Sequence, residues 1–452
     1  MSKQSIPESG IYDARELGVP KMLILGFQHM FAMFGATVLV PALTGLSVSA
    51  TLLFAGLGTL LFHLLAKGKV PAFLGSSFAF IGGYAAVAPM IDGQPNLELL
   101  PYACFGVALA GLLYVVLSAL FKVFGIRKVM RFFPPIVTGP VIICIGLTLS
   151  SSAIDNCQSS WWIALVAILV VVVTNIFGKG MIKIIPILLG VVASYLVAAV
   201  TGNVDFTAVR EAAWLGLPFQ WSNTVFGLFA RDNLDTSMLI TAAITIMPLA
   251  LATMVEHIGD MCAISSTCNR NYLADPGLHR TLLGDGLATT LASLFGAPAN
   301  TTYGENTGVL ALSKVYDPKV IRIAAVLAIL FSFSPKFEAL VAAMPAATIG
   351  GVSMILYGMI SAVGVRNVVE NKVDFTASRN VLIAAIIMVL SIGITYSGAG
   401  AVVIPAGSVT IQLSGLAVGA IVGILLNAIL PGKDYEFGTD LQGDTAVNFI
   451  VR

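Results

Sequence analysis

Charge is scarce in this 452-residue chain: Asp, Glu, Lys and Arg make up 10% of it, where a water-soluble domain carries about 25%. That excludes a molecule bathed in water on all sides. Hydrophobic residues reach 57% and mean hydropathy is +0.93, so lipid must be the main solvent. Net charge is +1 and the basic residues stand singly, which offers nucleic acid no phosphate-binding surface. Cysteine is sparse and odd in number. Cys104, Cys144, Cys157, Cys262 and Cys268 lie in or near apolar runs without metal-ligand spacing, and read as buried small hydrophobes. No metal cluster, nucleophile–base pair or acid-rich phosphate motif appears, so the chain is not expected to be an enzyme or to hold a cofactor. Residues 1–20 lack the basic, apolar, small-residue order of a cleavable signal, so the first apolar run is expected to stay in the mature protein.

What is there is a succession of apolar runs, near 21–43, 47–66, 71–90, 99–121, 132–154, 160–178, 181–201, 236–266, 281–296, 298–313, 319–340, 345–364, 379–397 and 408–430. The expected fold class is therefore an all-α polytopic membrane protein with fourteen transmembrane spans. Cytoplasmic connections collect Lys and Arg. With both termini inside, 21 of the 24 basic residues fall on the cytoplasmic side, and only Arg210, Arg231 and Lys336 do not. Residues 202–235, carrying Trp214, Phe219, Trp221 and Phe226, are the longest stretch outside the spans and suggest an outer interfacial segment.

The chain also repeats itself. Phe27-Gln28-His29 is answered by Val255-Glu256-His257 at an offset of 228, and the stretch from Pro71 to Phe78 by the stretch from Pro298 to Glu305 at 227. Residues 134–141 resemble 345–352 at an offset of 211. Seven spans per half is an odd number, so two copies must face the membrane in opposite senses: inverted repeats, the arrangement of many secondary transporters.

Spans three and ten are too short and too polar for ordinary helices. Each opens on Pro-Ala, continues through residues suited to an extended chain, passes Gly75 or Gly304, and only then suits a helix. Short extended strands are expected there, able to pair with each other as a two-strand ladder. Unwound backbone at membrane depth needs protein, water or ligand to satisfy it, and half-helix N-termini leave free N–H donors. Glu256 sits near the middle of span eight, where a carboxylate costs about 2.5–3.5 kcal/mol to insert. Asp260, four residues on, shares its face, and Glu305 stands at the start of the tenth half-helix. His29 and His257 are expected to make supporting hydrogen bonds rather than hold a metal. His63 and His279 are expected near the cytoplasmic interface, and Asp285 is expected to pair with a neighbouring helix.

At this point the residues resemble a family. Asn300-Thr301-Thr302-Tyr303-Gly304-Glu305-Asn306-Thr307-Gly308, with Gln28-His29, Gly75-Ser76-Ser77-Phe78 and Glu256-His257-Ile258-Gly259, is similar to the nucleobase-ascorbate transporter family, most of all its bacterial uracil permeases. The resemblance implies a core domain (spans 1–4 at 21–130 and 8–11 at 236–340) and a gate domain (131–201 and 341–430). The tails are then 1–20 and 431–452, and 202–235 is an extracytoplasmic connection. It implies a homodimer in the inner (plasma) membrane. Glu256 and Glu305 would bind a base together with the backbone amides of Phe78 and Gly304. Ala36, Tyr303 and Tyr357 would shape the pocket or its gate, with Gln28, His29, His257, Asp260 and Asn306 supporting or carrying a proton. Two positions depart from the family pattern: Ser313-Lys314 replaces a Thr-basic pair, and Asp260 stands where some uracil permeases have His.

The chemistry of the base points the same way. Uracil presents two N–H donors and two carbonyl acceptors around a flat ring, so it needs carboxyl acceptors and backbone donors together. Aromatic covers such as Phe78 and Tyr303 would add about 0.5–1.5 kcal/mol each. Because uracil is neutral, concentrating it needs a coupled ion, expected to be H+ with Na+ as the alternative. A xanthine, purine or ascorbate carrier of the same fold is the other substrate reading. An anion exchanger on a similar scaffold would be expected to carry a neutral or positive residue at position 305.

Overall fold

A computed structural model describes residues 10–91, 94–406, 409–432, 435–437 and 449–451. Of the expected tails, residues 1–9, 433–434, 438–448 and Arg452 lie outside the described residues. The first helix, α1 (Val19–Thr44), ends on Gly45 in the left-handed region, where the Gly45 N–H reaches back to Pro41 O at 2.8 Å. Ser47 caps α2 (Val48–Leu65) by accepting from the Ala50 N–H, so a three-residue link folds α2 back along α1. The chain then runs extended through Pro71, forms β1 (Leu74–Ser76), makes one tight helical turn at Phe78–Phe80 and enters α3 (Ile81–Val87). Helices α4 (Leu100–Phe124), α5 (Pro135–Gln158), α6 (Trp161–Phe177) and α7 (Pro186–Val200) complete the first half, with a single turn, Met181–Ile184, between α6 and α7.

Short helices at Thr207–Glu211 and Val225–Phe229 occupy the long connection. The second half runs α8 (Thr236–Ile246), α9 (Leu249–Cys268), α10 (Leu278–Leu294), β2 (Asn300–Thr302), α11 (Gly304–Ser313), α12 (Pro318–Ser332), α13 (Pro335–Ala342), α14 (Ala346–Glu370) and α15 (Ser378–Thr395). A hairpin of β3 (Ala401–Ala406) and β4 (Val409–Ser414) leads into α16 (Gly415–Ile429).

The molecule is mostly helical and multi-pass, with differences from expectation at particular spans. Seven helices among the described residues are long and apolar enough to cross a membrane, eight if α12 and α13 count as one broken span, and four shorter apolar helices stand beside them. The run 319–340 is not one straight helix. Ser334 and Pro335 start a new one, with Ser334 Oγ accepting from the Phe337 N–H, and the axis turns by 88°. The run 408–430 is helical only from Gly415, because the β-branched stretch before it pairs as a hairpin instead. The run 236–266 is interrupted at Met247-Pro248, where α8 hands over to α9.

Packing follows a pattern across the two halves. Helix α4 lies on α10 and α2 on α12; α5 on α15 and α14 on α6; α6 on α7 and α15 on α16; α1 on α7 and α9 on α16. At the centre α2 meets α10 and α5 meets α14. The α5–α14 contact is made close by small residues: Gly139 faces the backbone of Gly364, while Ser361 Oγ donates to Ile143 O at 2.9 Å and Asn367 Nδ2 to Thr138 Oγ1 at 2.9 Å.

Candidate functional site

The site grows from the two broken spans. β1 and β2 pair antiparallel, with Leu74 opposite Thr302, Gly75 opposite Thr301 and Ser76 opposite Asn300. The ladder continues beyond the strands through Tyr303 N–H to Phe73 O (3.0 Å) and Ser77 N–H to Ala299 O (2.8 Å). The outer edges are held by flanking helices. Thr59 Oγ1 on α2 accepts from the Leu74 N–H at 2.9 Å, and Thr289 Oγ1 on α10 donates to Asn300 O at 2.8 Å. His63 is buried, and its Nε2 lies 2.8 Å from Ala72 O. Every such bond replaces one that water would supply, which is how extended chain survives inside the membrane. Gly75 is needed for closeness: a Cβ there would lie 2.5 Å from the Tyr303 ring. Tyr303 in turn donates its hydroxyl to Ser76 O at 2.9 Å.

At the ends of the strands, Phe78 and Gly304 begin helical turns beside a cavity of about 300 Å³. Its wall brings together Glu256, Asp260, Glu305, Phe78, Tyr303 and Gly304. Glu256 and Glu305 are each partly exposed to it, and a Cβ on Gly304 would meet open space. Glu256 Oε2 is buried without a hydrogen-bond partner among the described residues. Asp260, by contrast, accepts from Thr302 Oγ1 at 2.7 Å. The first N–H groups of α11 have no intrahelical acceptor, so carboxyl acceptors and backbone donors face the same space. Phe78 stands edge-on to Tyr357, with ring centroids 5.7 Å apart.

The other expected residues stand behind this wall. Ala36 is fully buried in apolar packing and does not line the cavity; Ala32, one turn earlier, does. Tyr357 is likewise buried and supports Phe78. Asn306 Nδ2 donates to His29 O at 3.0 Å and lies 3.2 Å from His29 Nδ1, tying α11 to α1. Gln28, the preceding residue on α1, is half-buried and outside the cavity wall. His257 Nδ1 lies 2.9 Å from Asp285 Oδ2, both fully buried, which links α9 to α10 directly behind Glu256. Tyr303 has its hydroxyl committed to β1, so Phe78, with Phe31 of α1, is the ring placed to cover a ligand. Sequence reasoning gave no place in the site to Phe31, Thr302, Asn175 or Lys183, counting Lys183 only among the cytoplasmic-side basic residues, yet all four line the cavity. Lys183 carried a visible signal: a lysine inside an apolar stretch, three residues before Pro186.

Comparison with known proteins agrees with this architecture. The model of the Permease family matches residues 20–400. Uracil permease of Bacillus caldolyticus is 42% identical over 426 residues, covering 92% of this chain and 93% of that one. Uracil permease of Bacillus subtilis (strain 168) is 39% identical over 432 residues, covering 93% of each. Among solved structures, the fold is shared with SLC26A9, at a TM-score of 0.65 and 12% identity over 92% of this chain and 66% of that one. It is also shared with the transmembrane domain of a cyanobacterium bicarbonate transporter, BicA, at 0.56 and 16% over 93% and 99%. Matched over most of its length, the chain belongs to the nucleobase-ascorbate transporter family of permeases.

Proposed function

We propose that this protein is a uracil permease, a uracil:proton symporter that works by alternating access. The observation that carries the reading is one cavity in which the Glu256 and Glu305 carboxyls face the start of α11 and the helical turn at Phe78. The carboxyls would accept the two ring N–H groups of the base. The Gly304 and Phe78 N–H groups would donate to its carbonyls, and the Phe78 ring would cover one face. A carboxyl that carries a proton can donate to a carbonyl while accepting from the adjacent N–H, so proton and base favour each other's binding by linkage. Asp260, held by Thr302, is the second group able to carry the proton. The names of the similar permeases support uracil as substrate. Glu305 disfavours an anion as cargo, since a carboxylate in a water-poor cavity repels one.

The fourteen-span inverted-repeat architecture belongs to the same reading. Exchanging each element for its counterpart half a chain away maps the α4–α10 contact onto α2–α12, α6–α7 onto α15–α16, and α1–α7 onto α9–α16. The antiparallel β1–β2 pair would sit on the pseudo-two-fold axis. On that axis the core comprises 21–130 with 236–340 and the gate 131–201 with 341–430, both termini are cytoplasmic, and two copies pair in the inner membrane. The test is labelled-uracil uptake into proteoliposomes of the purified chain, with and without an inward proton gradient. Gradient-stimulated accumulation is expected. Uptake that ignores the proton gradient but requires sodium would overturn proton coupling, and uptake of xanthine in preference to uracil would overturn the substrate.

A further inference from the structure

The cavity is chemically lopsided. Its acids, Glu256 and Asp260 on α9 and Glu305 on α11, all come from the core side. The basic residue on its wall, Lys183, comes from the opposite side, in the single turn Met181–Ile184 between α6 and α7. Lys183 is exposed and makes no ion pair within 4.0 Å among the described residues. Neutral uracil has no charge for an ammonium to balance, so the lysine is not explained by the cargo.

The cytoplasmic-side charge bias covers a lysine in this connection but not its place on the cavity wall, and the return stroke would give that place a use. Loaded, the site is neutralised by the symported proton and its hydrogen bonds are filled by the base. Once both have left toward the cytoplasm, a carboxylate remains in a cavity that must close and cross again, and a charge enclosed without a partner opposes closure. We propose that Lys183 supplies the missing partner: its ammonium swings across the cavity onto the emptied carboxylate pair Glu256/Asp260 and lets the unloaded carrier return. No bond is made or broken; the proton leaves with the uracil and the lysine keeps its own. The flexible stem and compact charge of lysine suit a contact that must form and release in each cycle. This inference rests on the proposed proton symport.

Net uptake needs the empty carrier to return, whereas exchange of labelled for unlabelled uracil shuttles only the loaded one. Wild type, Lys183→Gln and Lys183→Arg are therefore compared in proteoliposomes by both measurements. Loss of the ammonium in Lys183→Gln is expected to slow gradient-driven net uptake about tenfold more than it slows exchange, with Lys183→Arg recovering most of the net uptake. Preserved exchange also shows that the variant folds. Equal slowing of both modes, or of neither, would overturn the role given to Lys183. Wild type that exchanges no uracil would instead bring down the underlying symport reading.

Discussion

At the residue scale, the two glutamates differ in what holds them. Glu305 stands at the first turn of α11, where the helix N-terminus favours an acceptor, whereas Glu256 is mid-helix with Oε2 unpartnered among the described residues. Replacing Glu305 by Gln keeps the shape but puts an NH₂ where one acceptor oxygen stood. The expected outcome is weaker uracil competition by about tenfold or more, the loss of one hydrogen bond to a charged group at roughly 1.5–3 kcal/mol. Unchanged uracil affinity and an unchanged rank of competing bases would remove Glu305 from the site. The carboxylates were legible in the sequence because a charge inside an apolar run is conspicuous. The distribution of roles behind them was not, since pairings such as His257–Asp285 and Asn306–His29 join residues that only tertiary packing brings together. Ala36 shows the same limit from the other side: helical spacing puts it one turn from Ala32, and only the wall itself decides which of the two faces the cavity.

At the scale of elements, the broken spans were readable from Pro71, Pro298 and the glycines, because those residues oppose helix whatever surrounds them. The bend at Ser334-Pro335 and the hairpin before α16 were hidden inside stretches whose hydropathy matches a membrane helix, a signal blind to the difference between strand and helix. The β1–β2 ladder makes a sharp prediction at Gly75. With a Cβ only 2.5 Å from the Tyr303 ring, Gly75→Val must push the strands apart. Overpacking of this kind costs about 1–3 kcal/mol, so a lower melting temperature in detergent and loss of uracil binding are expected together; a fully stable, active variant would show that the ladder does not position the site.

A second element-scale prediction concerns residues 10–17, which lie across the ends of the site helices. Ile11 N–H donates to Lys314 O, Tyr12 OH to Cys268 O, and Ala14 N–H to the buried Asp317 Oδ2, each at 2.7–2.8 Å. Asp317 also caps α12 through the Lys319 N–H. Asp317→Ala should cost about 0.5–2 kcal/mol, the range for losing a cap, and release the segment to tryptic cleavage after Arg15; cleavage no faster than in wild type would count against the strap. Hydrogen bonds from the Arg15 side chain, then from its backbone N–H, hold the Asp13 carboxyl well below the usual carboxylate range. Because its folded value is depressed, that contribution is fully present above the ordinary carboxylate pKa and fades only as pH falls toward the lower folded one. Slow cleavage of the wild-type segment should therefore persist from neutral pH down to about pH 5.

At the scale of the whole molecule, the charge partition and the repeat offsets are sums over many residues, and the two inverted halves with cytoplasmic termini that they suggest belong to the proposed reading. What they could not supply is the contact across which core and gate would move. The structure offers one at Gly35 of α1 and Ile187 of α7: a Cβ added at Gly35 would lie 3.4 Å from Ile187 Cβ, close to the roughly 3.8 Å that a disulfide spans. The five native cysteines are free and buried, so a background with each replaced by Ala leaves an engineered Gly35→Cys, Ile187→Cys pair as the only thiols. If transport requires the core to slide against the gate, oxidation should stop both net uptake and exchange, spare uracil binding, and be reversed by reductant. Each single-cysteine variant should be indifferent to the oxidant, which separates the cross-link from the packing change that the added side chain brings. Undiminished exchange in fully cross-linked protein would mean that α1 and α7 travel together, and that the dividing surface of the carrier lies elsewhere than between 21–130 and 131–201.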